Sequence, residues 1–269
     1  MRIHDVLAAA QLFIISRRRA AEAEGNERAR ELWHHVREYL SFIHETGQVY
    51  RFEDYLEEHT PTPQAYEETA FSAQGGEARA LLFETLERVS TPKEQQFVRV
   101  LITLLDYVTG SGQGDAFEAF LKSCGEPPRV MASFSSLEEA KTWLMNLPEP
   151  PHRAHVLIGD AYHEAWYSRE DGVRDIAREY VVEPLLEKLT TQGPPPVVAS
   201  FDTREEAEAW LMKQPASPML FVSIAGECHL AVYQAKLNRH SLHSLTRGLK
   251  EWEEEKRRAV ERQREMDAD

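Results

Sequence analysis

Two histidines head the same short pattern, His163-x-Ala165-x-Tyr167 and His229-x-Ala231-x-Tyr233. An imidazole changes charge near neutral pH, so each could carry a proton or make a polar contact in a groove. In an extended strand, residues two apart share a face. That puts His, Ala and Tyr in one row, with the alanine leaving space between two rings. The other reading is structural: a ring nitrogen bonded to a neighbouring strand or a helix cap. Occurrence in both copies favours the structural role, because an active site seldom appears twice with nothing else shared.

Other reactive side chains do not assemble into a motif. His240 and His243 are three apart on an expected helix, His34 and His35 are adjacent, and His152 and His155 flank the start of an expected strand. None joins cysteines or carboxylates at a metal-ligand spacing, so no metal and no cofactor is expected. Cys124 and Cys228 have no neighbours that would activate a thiolate. There is no Gly-x-Ser-x-Gly elbow. Gly110-Ser-Gly-Gln-Gly114 lacks both the preceding strand and the following Lys-Ser or Lys-Thr of a phosphate loop. Arg17-Arg18-Arg19 and Lys256-Arg257-Arg258 read as solvated faces or helix-end complements. The pairs Glu138-Glu139 and Glu205-Glu206 fit the first turn of a helix, where the dipole favours negative charge. No catalytic residue is assigned, and the chain is not expected to be an enzyme.

The elements that position these residues come from a repeat. Pro128 to Pro148 returns as Pro195 to Pro215, with twelve of twenty-one positions identical. In each copy a strand (Val130 to Phe134; its counterpart ends at Phe201) leads into a helix. Ser135 with Glu138, and Asp202 with Glu205, are expected to form capping boxes there. Phe134, Trp143, Phe201 and Trp210 are expected core residues, and truncating either tryptophan should cost about 3–5 kcal/mol. His155 to Ile158 and Tyr162 to Tyr167 then flank Gly159-Asp160. Phe221 to Ile224 and Cys228 to Tyr233 flank Ala225-Gly226. Two β-rich runs about a two-residue turn read as a hairpin. Each unit is therefore β-α-β-β. Val173 to Leu189 is read as a helix between the units, bent at Pro184, and Ser241 to Met266 as a C-terminal helix.

Before the repeats the periodicity is helical throughout. Leu32, Trp33, Val36, Tyr39, Leu40 and Ile43 fall on one side of a helix over Glu27 to Thr46. Tyr50 to Leu56 reads as a short helix ended by Thr60-Pro61-Thr62-Pro63. Thr91, with Pro92 after it and Glu94 third, marks a helix start. The fold class is α+β: an all-helical N-terminal half, two tandem β-α-β-β units and a C-terminal helix. The domains expected are 1–125, helical; 126–192, the first repeat with its linking helix; and 193–269, the second repeat with the C-terminal helix.

Across 269 residues the formal charge is −14. Such a field repels nucleic acid and anionic membranes and favours a basic partner, or no partner at all where the charge serves only solvation. The apolar run near the N-terminus, Val6 to Ile15, is too short to span a bilayer. Two cysteines in no framework spacing suit a reducing, cytoplasmic setting.

The string Thr46 to Leu56, TGQVYRFEDYL, and the repeat run Ala199 to Leu211 resemble a group of myxobacterial proteins built from tandem β-α-β-β repeats. Some of these carry the label "head protein". The resemblance covers about half the chain and brings no catalytic residues with it. It implies a prophage-derived structural or head-associated role as one alternative. The leading expectation is a non-enzymatic, acidic protein-binding protein: an immunity protein or antitoxin that neutralises a basic toxin. Specific function is expected where the copies differ, as between Pro148 to Arg153 and Pro215 to Pro218, or in the helical half.

Overall fold

The computed structural model describes residues 2–59, 72–122, 127–191, 193, 195–214 and 219–266, without the side chains of Gln263 and Met266. Among them are ten helices and two four-stranded sheets, an α+β fold with a helical N-terminal half. The chain divides into two compact units. The first is Met1–Gly125 together with Pro151–Arg153 and Ser168–Gly172. The second is the remainder and contains both sheets. Thr60 to Pro63, Cys124 and Pro215 to Pro218 lie outside the described residues.

The first unit contains α1 (Ile3–Ala23), α2 (Glu27–Glu45), α3 (Val49–Glu58), α4 (Ala73–Arg88), α5 (Pro92–Gly110) and α6 (Gly114–Lys122). Helix α5 is apolar almost all round, with Val98, Leu101, Ile102, Leu104 and Leu105 fully buried. A helix of that kind belongs at a centre, and α1, α2, α3, α4 and α6 all pack on it. Its start matches the sequence reading. Thr91 Oγ accepts the Glu94 amide at 3.2 Å and Pro92 takes the first turn. Its one buried carboxylate, Asp106, accepts Arg79 Nε at 2.8 Å. Helix α2 ends where Gly47 turns left-handed (φ +70°), so that the Gln48 amide returns to the Ile43 carbonyl at 2.8 Å.

The second unit begins with β1 (Val130–Phe134), α7 (Leu137–Asn146), β2 (Arg153–Ile158), β3 (Ala161–Ser168) and β4 (Val173–Arg178). After α8 (Val182–Thr190) come β5 (Ala199–Phe201), α9 (Arg204–Leu211), β6 (Met219–Ile224), β7 (Glu227–Gln234), β8 (Arg239–Ser244) and α10 (Leu245–Met266). The sheets run β1-β2-β3-β4 and β5-β6-β7-β8. In each, the first pair is parallel across a helical crossover. Helix α7 covers one face of the first sheet through Ala140, Leu144, Val156, Ala165 and Ile176. Helix α9 does the same for the second through Ala207, Leu211, Val222, Ala231 and Leu242. The opposite faces meet in a shared core of Val130, Leu157, Tyr162, Leu230 and Val232, closed by Val182 and Leu186 of α8.

Four expectations are corrected. Each repeat carries a further strand, so the unit is β-α-β-β-β. The helix expected over Val173 to Leu189 is β4 followed by α8, because Val173 to Arg178 pairs along the sheet edge and buries only Ile176. Pro184 then falls in the first turn of α8, where no amide is needed. Ser241 to Ser244 likewise belongs to β8, and α10 starts at Leu245. The caps sit one residue later than expected. Ser136 Oγ accepts the Glu139 amide at 3.2 Å, and Thr203 and Glu206 form a reciprocal capping box. Phe134, Trp143, Phe201 and Trp210 border their helix–sheet cores, partly buried, with ring centroids 5.2 Å apart in the first copy and 5.6 Å in the second.

Candidate functional site

The His-Ala-Tyr rows lie on the helix-covered faces of β3 and β7. Ala165 and Ala231 are fully buried beneath Ala140 and Ala207, so the small side chains let each helix lie close to its sheet. The histidines flank that contact. His163 Nδ1–H donates to the Ala161 carbonyl, and His229 Nδ1–H to the Glu227 carbonyl, both at 3.0 Å. The same ring nitrogen, Nδ1, carries the bonded proton in both copies. Burial is the main influence on His163, and it lowers the ring below its ordinary pKa. The Ala161 bond opposes this and Arg178 adds to it. The tyrosines differ: Tyr167 lies under the Arg174 guanidinium, 5.3 Å from its ring centre, whereas the Tyr233 hydroxyl donates to Asn238 Oδ1 at 3.0 Å.

Between the repeats, inside the second unit, is a cleft of ≈ 440 Å³ whose wall includes Asp160, Arg178, Arg204, His229, His243 and Arg247. Asp160 stands in the β2–β3 turn, its side chain 11% exposed. It accepts from Arg204 at the start of α9 and, at 3.3 Å, from Arg239 at the start of β8. Arg239 also reaches Ser133 Oγ at 2.7 Å. A single turn carboxylate of the first repeat thus gathers two arginines of the second. Arg178 donates to the Tyr162 carbonyl at 2.7 Å and to the buried Glu183 carboxylate.

A buried polar chain runs from the shared core to the cleft wall. Gln234 Nε2 donates to the Tyr162 hydroxyl at 2.7 Å and to Ser241 Oγ at 3.0 Å. Ser241 Oγ lies 2.9 Å from His243 Nε2. The Ser241 hydroxyl also reaches the Val232 carbonyl at 3.4 Å, so its proton has an acceptor with either tautomer of His243. Burial pulls His243 down to about 4; Asp160 resists, while Arg178, Arg204 and His229 add to the fall. His243 is therefore neutral at pH 7. Burial pushes Tyr162 up to about 12, and Glu183 adds to the rise while its bond from Gln234 opposes it.

Chemically this is a fastener with a polar mouth. Ser241 is completely buried, and its proton is already engaged. Burial raises the Cys228 thiol, keeping it in its weakly nucleophilic form. Ser244 Oγ caps α10 by accepting the Arg247 amide at 3.0 Å. The mouth exposes Arg204, Arg247 and Glu227, groups suited to polar contact.

The remaining candidates are dispersed. His240 and His243 point to opposite faces of β8, since His240 pairs with Tyr233 and His243 with Leu230. His34 lies 3.5 Å from Glu38, whereas His35 is buried against Tyr39 and Phe117. His152 belongs to the first unit, and His155 in the second has its Nε2 2.9 Å from the Glu179 carboxylate. Among the described residues no group of three or more His, Cys, Asp or Glu side chains could hold a metal ion. Nor, among the described residues, is any helix long and apolar enough to cross a membrane. Asp160, Tyr162, Arg178, Gln234 and Ser241 escaped the sequence reading. Their one signal was difference between the copies: Tyr162 aligns with Cys228, and His243 with Ala177.

Comparison with models of known families, with curated proteins and with solved structures finds no match.

Proposed function

We propose that the chain is a non-enzymatic, acidic protein-binding protein, and in its sharpest form an immunity protein that covers the basic surface of a toxin. The observation that carries this reading is the charge: the formal −14 is shared equally by the two units. The polar groups that could have done chemistry are meanwhile turned inward as fasteners between and within the repeats. The two repeat helices also present matching outward positions. Met145 and Met212 are 64% and 78% exposed, each following a first turn with two glutamates. Acidic charge of this kind accelerates encounter with a basic partner and adds less to the final affinity.

The test is binding to the product of the neighbouring gene, measured from low to moderate salt. A complex whose association rate falls steeply with salt supports the reading. A complex indifferent to salt, or no complex, overturns it. Assembly of the chain alone into large particles would favour the head-associated role implied by the sequence resemblance.

A further inference from the structure

Three histidine rings and a tyrosine meet in the first unit. His4 near the start of α1 stacks on His152 of the segment Pro151–Arg153, with ring centroids 3.7 Å apart. His44 near the end of α2 meets His152 edge-on at 6.3 Å. Tyr50 of α3 stands 5.4 Å from His4 and 5.7 Å from His152. Its hydroxyl accepts the Arg169 amide at 2.8 Å and shares a hydrogen bond with His4 Nε2 at 3.2 Å. The Arg169 guanidinium lies 4.5 Å from the Tyr50 ring centre and reaches Asp54 at 2.6 Å and Glu53 at 3.2 Å. Both segments, Pro151–Arg153 and Ser168–Gly172, therefore end on one Tyr–His group. Gly47 admits the first of them, since a Cβ there would stand 2.6 Å from Pro151 Cβ.

The neutral rings fit this arrangement and a charged ring does not. His4 Nδ1 is buried without a hydrogen-bond partner, whereas an imidazolium donates from both nitrogens. Two charged rings at stacking distance would repel. The charges around His4 are mixed: Glu170 and Asp5 favour its protonation, and Arg2 opposes it. His44 faces Arg153 and His4. Of the other nearby carboxylates, Glu53 and Asp54 are held by Arg169, and Asp171 lies 3.4 Å from Arg2.

We propose that His4, His44, His152 and Tyr50 form an acid-sensitive latch, which holds the segments Pro151–Arg153 and Ser168–Gly172 on α1–α3 while the rings are neutral and releases them when a ring takes a proton. This goes beyond the binding reading and does not depend on it. Burial is the main cause of the lowered pKa of both His4 and His44, and it takes His44 from 6.5 to about 4. The open state thus binds more protons than the closed one between those values. Latch stability is complete above the open-state pKa and is lost as pH falls from about 6.5 towards 4.

Hydrogen exchange at the Arg169 amide in the full chain, corrected for the intrinsic rate, reads this directly. From His44 alone, protection should fall about twentyfold between pH 7 and pH 5. The double variant His4→Phe, His44→Phe keeps two flat rings and removes their protons, and most of the fall should vanish. An equal fall in that variant would assign the effect to groups other than these two rings and overturn the proposal. If the double variant does not fold, the ring protons of the wild-type chain decide by NMR titration. Values for His4 and His44 below about 6 support the latch, and values at the ordinary histidine pKa sink it.

Discussion

The first residue position after Ala161 on β3 holds Tyr162, and the matching position on β7 holds Cys228. Tyr162 is 1% exposed, fills the core shared by both sheets and bonds Gln234; Cys228 is half-buried and does neither. The same contrast recurs elsewhere. Gln234 aligns with Ser168 and His243 with Ala177, and only the second-copy members join the buried polar chain. What the copies share behaves in the opposite way. The buried alanines, the helix caps and the histidine–carbonyl bonds each hold one repeat to itself. Shared residues build the unit, and divergent residues join unlike units in one orientation. A satisfied buried polar network is well suited to that task, because any other pairing leaves its members without partners.

The comparison can be broken most strongly at its first member. Tyr162→Ala should cost about 4 kcal/mol in thermal or urea unfolding, as expected for a fully buried ring. Cys228→Ala should cost well under about 1 kcal/mol. Similar losses at both sites would mean that the shared core is not asymmetric. The tryptophans sharpen the other half of the contrast. Partly buried in equivalent settings, Trp143→Ala and Trp210→Ala should each cost about 2 kcal/mol, less than a buried ring. A large difference between them would show that one helix depends on the other repeat.

The smallest effect lies at the hairpin turns. Ala225 adopts φ 49° where the first copy has Gly159 at φ 61°. Ala225→Gly should stabilise the chain by about 1 kcal/mol, and Gly159→Ala should destabilise it by a similar amount. Melting temperatures that move together would remove the strain assigned to Ala225.

Much of this division was legible in the sequence, because it depends on local rules. Thr91-Pro92 fixed a helix start, the paired Gly/Asp and Ala/Gly turns fixed the hairpins, and period-two spacing put His, Ala and Tyr on one face. The caps slipped by one because Ser135 and Ser136, like Asp202 and Thr203, are both competent acceptors; the structure uses the second of each pair. Strand β4 stayed hidden because its sequence, VRDIAR, buries a single residue and owes its conformation to pairing with β3. The polar chain and the Asp160 clamp stayed hidden for a different reason. Their members are up to 106 residues apart, as with Ser133 and Arg239, and no local pattern marks a residue whose partner lies in another repeat. The Tyr50–His4 contact, across 46 residues, is of the same kind.

The strand order has a kinetic consequence. In both sheets every neighbouring pair is also consecutive along the chain. Short connections make ring closure cheap in entropy, and low contact order favours fast folding. Strands β6 to β8 can zip outward from their turns, and β5 joins once α9 has formed the crossover. Each repeat can therefore complete its sheet before the other is in place. On that order Tyr162 and Gln234 are expected to come together late, after the folding barrier. Truncating Tyr162 should accelerate unfolding far more than it slows folding, whereas Ala231, packed beneath its own helix, belongs to the early nucleus.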